Sequence, residues 1–238
     1  MKINPIFKST LAEDVAAGPQ GQPAHKKGTE VAFASIIDTK KLGKFGMVTP
    51  NPVFFYLSFA EQLIDGFKAE LITINSSQKE WHMFGPTDTA PTDKFRNLDK
   101  DLLYSCIQKA MAIPIFLFTA MEAFANQMIP EDYIYEKEIN NEIIKFDKKQ
   151  IEGRIGTEEK MGVILSGIYG KELKQSPLWA IFKDLKDLRD SLVHLKTDGV
   201  HYIRAYEGIY GKMVDTDYKI FFENIKGIMI FFVPKYFE

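Results

Sequence analysis

The stretch "LKDLRDSLVHLK", Leu185 to Lys196, constrains the fold most strongly. Leu185, Leu188, Leu192 and Leu195 recur at three- and four-residue intervals. On a helix turning about 100° per residue, they join Ile181 in a single stripe. Ser176-Pro177 supplies the start signal, with serine as cap and proline at the first helical position. The spacing predicts a helix running to Leu195 or Lys196 and stopping near Gly199, its leucine stripe facing the protein's own core. Arg189 lies at the edge of that stripe, and His194 falls about 140° further round. Val193, Lys186, Trp179 and Asp190 lie between them. Asp190 and His194 are four apart and therefore neighbours. The helix thus has a second, partly apolar face carrying Arg, Asp and His. It suits a partner helix, such as the same helix of a second subunit, which would bring two Arg/His sets into one cleft.

These residue types suit phosphoryl chemistry. Histidine transfers protons near neutral pH. Arginine stays charged and binds phosphoryl oxygens through two donors. Together they support cleavage of RNA by its own 2′-hydroxyl, with histidine as base or acid and arginine stabilising charge on phosphorus. That route requires no metal. Spacing alone leaves a second reading open, in which Arg189 and His194 are surface or interface residues.

The remaining chain is mostly helix-patterned. Residues 1–52 are rich in proline and glycine, with turn signals such as "AGPQGQPAHKKG". They read as an irregular arm with a short strand in "EVAFASII". "GMVTPNP" reads as a turn launching a helical domain, 53–238. Its first helix carries Phe55, Phe59, Leu63, Ile64, Phe67 and Leu71 on one face. Thr92 and Asp93 are candidate caps for a long apolar helix that Pro114 should kink or divide. "EKEINNE" reads as a solvated helical face. Thr157 is a candidate cap for a short helix over "TEEKMGVILSGIYG". "GVHYIRAYEGIYGKMVD" reads as a hairpin or loop, and "DTDYKIFFENIKGIMIFFVPKYF" as the last helix.

Composition narrows the function. Formal net charge over the 238 residues is −2, with a pI near 6.1. That excludes coating nucleic acid through bulk positive charge, though not a local basic cleft. The single cysteine, Cys106, precludes an intramolecular disulfide and fits a small core residue in a cytoplasmic protein. The longest apolar runs, "AMAIPIFLFTAM" and "IMIFFV", fall short of the roughly 18–20 residues that span a bilayer, so no membrane is expected. His25 and His82 read as loop histidines and His201 as a strand-surface residue. Neither "GIYGK" has the cradle of a phosphate-binding loop. No metal or cofactor is expected.

"LRDSLVHLK" resembles the signature of the HEPN superfamily (higher eukaryotes and prokaryotes nucleotide-binding domain): Arg, a polar residue, a short spacer and His near the end of a late helix. Arg189, Asp190 and His194 match it. "FTAMEAFANQMIP" resembles an earlier HEPN helix in which an acidic residue and an Asn share an apolar helix, here Glu122 and Asn126. The resemblance covers about 97–237. It implies a mainly α, HEPN-like helical bundle that forms a homodimer, with Arg and His of each subunit meeting at the interface. Many such proteins are metal-independent ribonucleases in toxin–antitoxin, antiviral defence or RNA-processing systems. Others are binding or assembly modules. By resemblance, Arg189, Asp190, His194 and Glu122 are catalytic, Asp190 orienting the pair, with Asn126 in support. On the enzyme reading, RNA is the substrate and the protein a hydrolase of a toxin or antiviral defence system, with a cognate antitoxin as partner in the toxin case. A family tyrosine two residues after the histidine is Lys196 here, so its nucleotidylation does not carry over.

Overall fold

The computed structural model describes residues 8–10, 26–32, 34–76, 80–82, 94–96, 99–193 and 202–238. His25, Thr92, Asp93, His194, Leu195 and His201 lie outside them. The protein is mainly helical. It divides into two compact units, Met1–Ser58 and Phe59–Glu238.

The first unit holds more strand than the arm reading predicts. β1 (Lys8–Thr10) pairs with β2 (Glu30–Ala32), and β3 (Ala34–Thr39) pairs with β4 (Gly43–Val48), both antiparallel. Gly43 has φ +70° where the second hairpin turns, a conformation glycine adopts at no steric cost. α1 (Pro52–Ser76) starts as expected after the Pro-Asn-Pro turn, and the Asn51 side chain accepts a bond from the Val53 backbone N–H at 3.0 Å.

The buried stripe of α1 shares Ile64 and Phe67 with the predicted face but departs from it toward the N-terminus. Val53, Leu57, Ala60, Ile64 and Phe67 are buried, while Phe55 and Phe59 are exposed. Apolar residues surround much of this helix, so two stripes compete on periodicity. The buried one includes the small Ala60, which a reading weighted to aromatics passes over.

The second unit is a bundle around α2 (Lys100–Met128), which contacts α6 (Leu178–Val193), α7 (Tyr202–Asp215) and α8 (Tyr218–Phe232). Asp99 caps α2, accepting from the Asp101 and Leu102 backbone N–H groups. Pro114 lies inside α2 without dividing it. Proline has no N–H to offer the carbonyl four residues back. The Tyr218 hydroxyl of α8 donates to that carbonyl, Ala110 O, at 2.9 Å. Tyr218 is buried, and burial pushes its pKa well above the ordinary tyrosine value. Cys106 is buried on the same helix.

Length and mean hydropathy alone would let α2 cross a membrane, which a count of uninterrupted apolar runs misses. Cys106, Ala110, Ile113, Leu117, Met121 and Phe124 are buried within the bundle, and 33% of the apolar window is buried in all. The core helix of a globular domain has this composition too.

"EKEINNE" is not helical. β7 (Tyr135–Ile139) and β8 (Glu142–Phe146) form an antiparallel hairpin, with Ile139 opposite Glu142. Asn140 and Asn141 both take positive φ, 54° and 65°. That is the two-residue turn matching strand twist, and asparagine tolerates it. β5 (Glu80–His82) pairs with β6 (Lys94–Arg96), so His82 ends a strand rather than lying in a loop.

α3 (Lys148–Arg154) begins with a reciprocal capping box between Asp147 and Gln150. Next come α4 (Thr157–Glu159), a π-helical turn (Lys160–Ile164) and α5 (Leu165–Tyr169). Thr157 is the first helical residue and Gly156 occupies the cap position, so Thr157 does not cap this segment. A Cβ on Gly162 would come within 2.8 Å of the Trp179 ring, so the π turn and α6 meet where only glycine fits.

α6 follows Ser176-Pro177 as predicted, with Ser176 Oγ accepting from the Leu178 backbone N–H. Leu185, Leu188 and Leu192 are buried with Phe182. "YIRAYEGIYGKMVD" is α7, not a hairpin or loop. Its tyrosines and glycines imitate turn and strand signals, while Ile209 and Met213 keep helical spacing and Met213 is fully buried. α8 starts at the Asp217 cap.

Candidate functional site

Burying the leucine stripe turns the opposite edge of α6 toward the chain's own α2 and α4. A cleft of about 700 Å³ lies there. α6 contributes Lys186, Arg189 and Asp190; α2 contributes Phe118 and Glu122. The third wall is Gly156, Thr157, Glu158, Glu159 and Val163, with Lys174 at its edge. Glu122 therefore shares one cavity with Arg189 and Asp190 although it is distant from them in sequence.

Arg189 is held in two ways. Its Nη1 donates to Asp190 Oδ1 at 2.6 Å, and its guanidinium carbon lies 4.6 Å from the Phe118 ring centroid. A guanidinium over an aromatic face is attracted by the ring quadrupole. Asp190 Oδ2 accepts from Lys186 Nζ at 2.9 Å. Burial acts to raise the Asp190 pKa, but the bonds from Lys186 and Arg189 outweigh it and hold the carboxyl below its ordinary value. Asp190 is thus the ion-pair partner of both Arg189 and Lys186.

Glu158 ties α4 to α6. It accepts from Lys183 Nζ at 2.9 Å and lies 3.7 Å from Lys186 Nζ. The Lys183 bond chiefly lowers its pKa. Glu159 ties α4 to the hairpin through Lys137 Nζ at 2.6 Å and the Tyr135 hydroxyl at 2.7 Å. Burial and the Glu159 bond push the Tyr135 pKa up to about 12.

Among the described residues Glu122 makes no ion pair within 4 Å. Asn126, one turn further along α2, is not part of the lining. Its Oδ1 accepts from Lys160 Nζ at 2.8 Å. Lys160 is fully buried, also donates to the Glu152 carbonyl at 2.9 Å, and has its pKa lowered by burial.

The cleft carries mixed charge rather than a basic field, with Lys174, Lys186 and Arg189 set against Glu122, Glu158, Glu159 and Asp190. That suits binding a polar group that engages several donors and acceptors. Among the described residues, no three or more His, Cys, Asp or Glu side chains are grouped to hold a metal.

Sequence reasoning missed Phe118, Lys160, Glu158, Glu159 and Lys174 as site residues. Lys186 had a signal, since it is four residues from Asp190 on the same helix. Lys160 had none, because its role depends on where α2 and α3 pass. No family model, no curated protein and no solved structure matches the chain.

Proposed function

We propose that the chain is a HEPN-like, metal-independent endoribonuclease whose working site is completed in a homodimer. The observation that carries this reading is the single cleft joining Glu122 of α2 to Arg189 and Asp190 of α6. In the proposed reaction the RNA 2′-hydroxyl loses its proton and attacks the adjacent phosphorus. The bond to the 5′-oxygen breaks, and that oxygen takes up a proton. The products carry a 2′,3′-cyclic phosphate and a 5′-hydroxyl. His194 transfers the protons, as base or acid. Arg189 stabilises the charge that develops on the phosphoryl oxygens. Asp190 and Phe118 hold Arg189 in orientation, and Glu122 supports the site from the opposite wall. A cytoplasmic toxin or antiviral defence protein, with a cognate antitoxin, is the setting this chemistry fits.

A non-catalytic HEPN-like binding or assembly module is the second reading. It is favoured by the direct Arg189–Asp190 ion pair, which engages the arginine within its own chain.

RNA cleavage in excess chelator separates the two. The ribonuclease reading expects cyclic-phosphate products from wild type and loss of cleavage in Arg189→Ala and His194→Ala. Cleavage unchanged in both variants contradicts the assignment. A stable dimer that binds RNA without cutting it supports the module.

A further inference from the structure

We infer that Lys160 is a positioning residue that fixes the Glu122–Asn126 face of α2 at the wall of the cleft. This rests on the ribonuclease reading of that cleft.

Lys160 is 0% exposed, yet it carries an ammonium group. A buried charge is expensive unless its surroundings answer it, and a methionine of similar length would fill the same space without charge. Core packing therefore does not account for a lysine here. Its bonds run to two other elements. Nζ donates to Asn126 Oδ1 of α2 at 2.8 Å and to the Glu152 carbonyl of α3 at 2.9 Å. Glu152 lies in the last turn of α3, where carbonyls lack helical partners and a cation is favoured. The Glu122 and Glu152 carboxylates both act to stabilise the ammonium.

The backbone places Lys160 for this task. It opens the π-helical turn Lys160–Ile164, an irregularity that recurs at functional sites. Thr157, Glu158 and Glu159 before it and Val163 within the turn line the cleft. Lys160 does not. It reaches behind the wall and grips α2 at Asn126, one turn beyond Glu122. Held there, α2 sets the position of Glu122 relative to Arg189 without Lys160 meeting substrate.

The test compares wild type with Lys160→Met, Asn126→Leu and Asn126→Asp, each checked for folding by urea unfolding. Cleavage of a single-stranded RNA oligonucleotide in chelator is followed at saturating and limiting substrate. Lys160→Met and Asn126→Leu are expected to lose about 10²-fold in kcat, since misplacement of about 1 Å costs that much, with KM changed by less than about threefold. Asn126→Asp keeps an acceptor for Nζ and should retain most of the kcat. The Asn126 side-chain amide is read separately by NMR. It should give one sharp, displaced pair of signals in wild type and averaged signals in Lys160→Met.

Folded Lys160→Met with wild-type kcat and an unchanged Asn126 amide overturns the inference. If Lys160→Met does not fold, Asn126→Leu decides, and wild-type kcat there overturns it equally. If wild type does not cut RNA at all, the ribonuclease reading fails. The amide comparison then still decides whether Lys160 fixes this face of α2.

Discussion

Two lysine–glutamate clusters sit on α2, one on each side of Pro114, and they use the same residue types differently. On the N-terminal side, Lys109 Nζ lies 2.7 Å from Glu70 Oε1 of α1, and Ser105 Oγ donates to the same oxygen at 2.8 Å. Lys109 also donates to Ser105 Oγ. The cluster closes on itself, and Glu70 Oε2 is buried without a hydrogen-bond partner among the described residues. On the C-terminal side, Lys160 is answered by a neutral amide and a backbone carbonyl instead. Among the described residues Glu122 keeps its carboxylate out of a direct ion pair, and it lines the cleft with Arg189. One cluster consumes its charge in holding α1 to α2. The other places the Glu122 carboxylate in the lining of the cleft.

Glutamine substitutions should separate the clusters most strongly. Glu122→Gln is expected to lower RNA cleavage by about 10²-fold, the low end for a group assisting proton transfer or charge stabilisation. Glu70→Gln should leave cleavage per folded molecule unchanged. Equal losses in steady-state assays would erase the distinction.

Stability should show the reverse ranking. Lys109→Met removes one partner of a mostly buried pair and strands Glu70, at about 2–3 kcal/mol. Urea unfolding reads this directly, and a loss below about 0.5 kcal/mol, the level of an exposed pair, would mean that Glu70 and Lys109 are not coupled.

The hydroxyl that serves the Ala110 carbonyl left free by Pro114, between the clusters, has a smaller effect. Tyr218→Phe leaves the Ala110 carbonyl unpaired in the core and should cost about 1–2 kcal/mol. A neutral result would mean that another donor replaces it.

The smallest effect concerns acid. The Asp190 carboxyl is depressed in the folded protein by Lys186 and Arg189, so its stabilising contribution is present above the unfolded value, about 3.9. It is lost as pH falls through the lower folded value. The gap in unfolding midpoint between wild type and Asp190→Asn should therefore close as pH drops from 7 toward 3. A gap that persists at low pH would assign the difference to packing.

Local patterns were readable where one turn of chain decides the outcome. The Ser176-Pro177 start of α6, its buried leucines and the apolar surroundings of Cys106 all follow from periodicity and capping. Patterns with two local solutions misled. Asn140-Asn141 between charged residues reads as a polar helix until its alternation is weighed as a hairpin. The Tyr- and Gly-rich α7 imitates a turn, although Met213 anchors it as a helix. Thr157 has a capping side chain, yet Gly156 takes the cap. Periodicity placed Arg189 and Asp190 on the second face of α6, while Glu122 entered only through the resemblance of its helix. Phe118 in the cleft and Lys160 behind its wall had no such signal, because an apolar ring under a guanidinium and a lysine in a core are fixed only by tertiary packing.

The most direct test sets Arg189→Ala beside Lys109→Met in one RNA-cleavage assay in chelator, with rates normalised to folded protein. Arg189→Ala should lose about 10²–10³-fold, as for removal of one transition-state donor, while Lys109→Met should keep the wild-type rate. Full cleavage by Arg189→Ala would contradict the role proposed for Arg189.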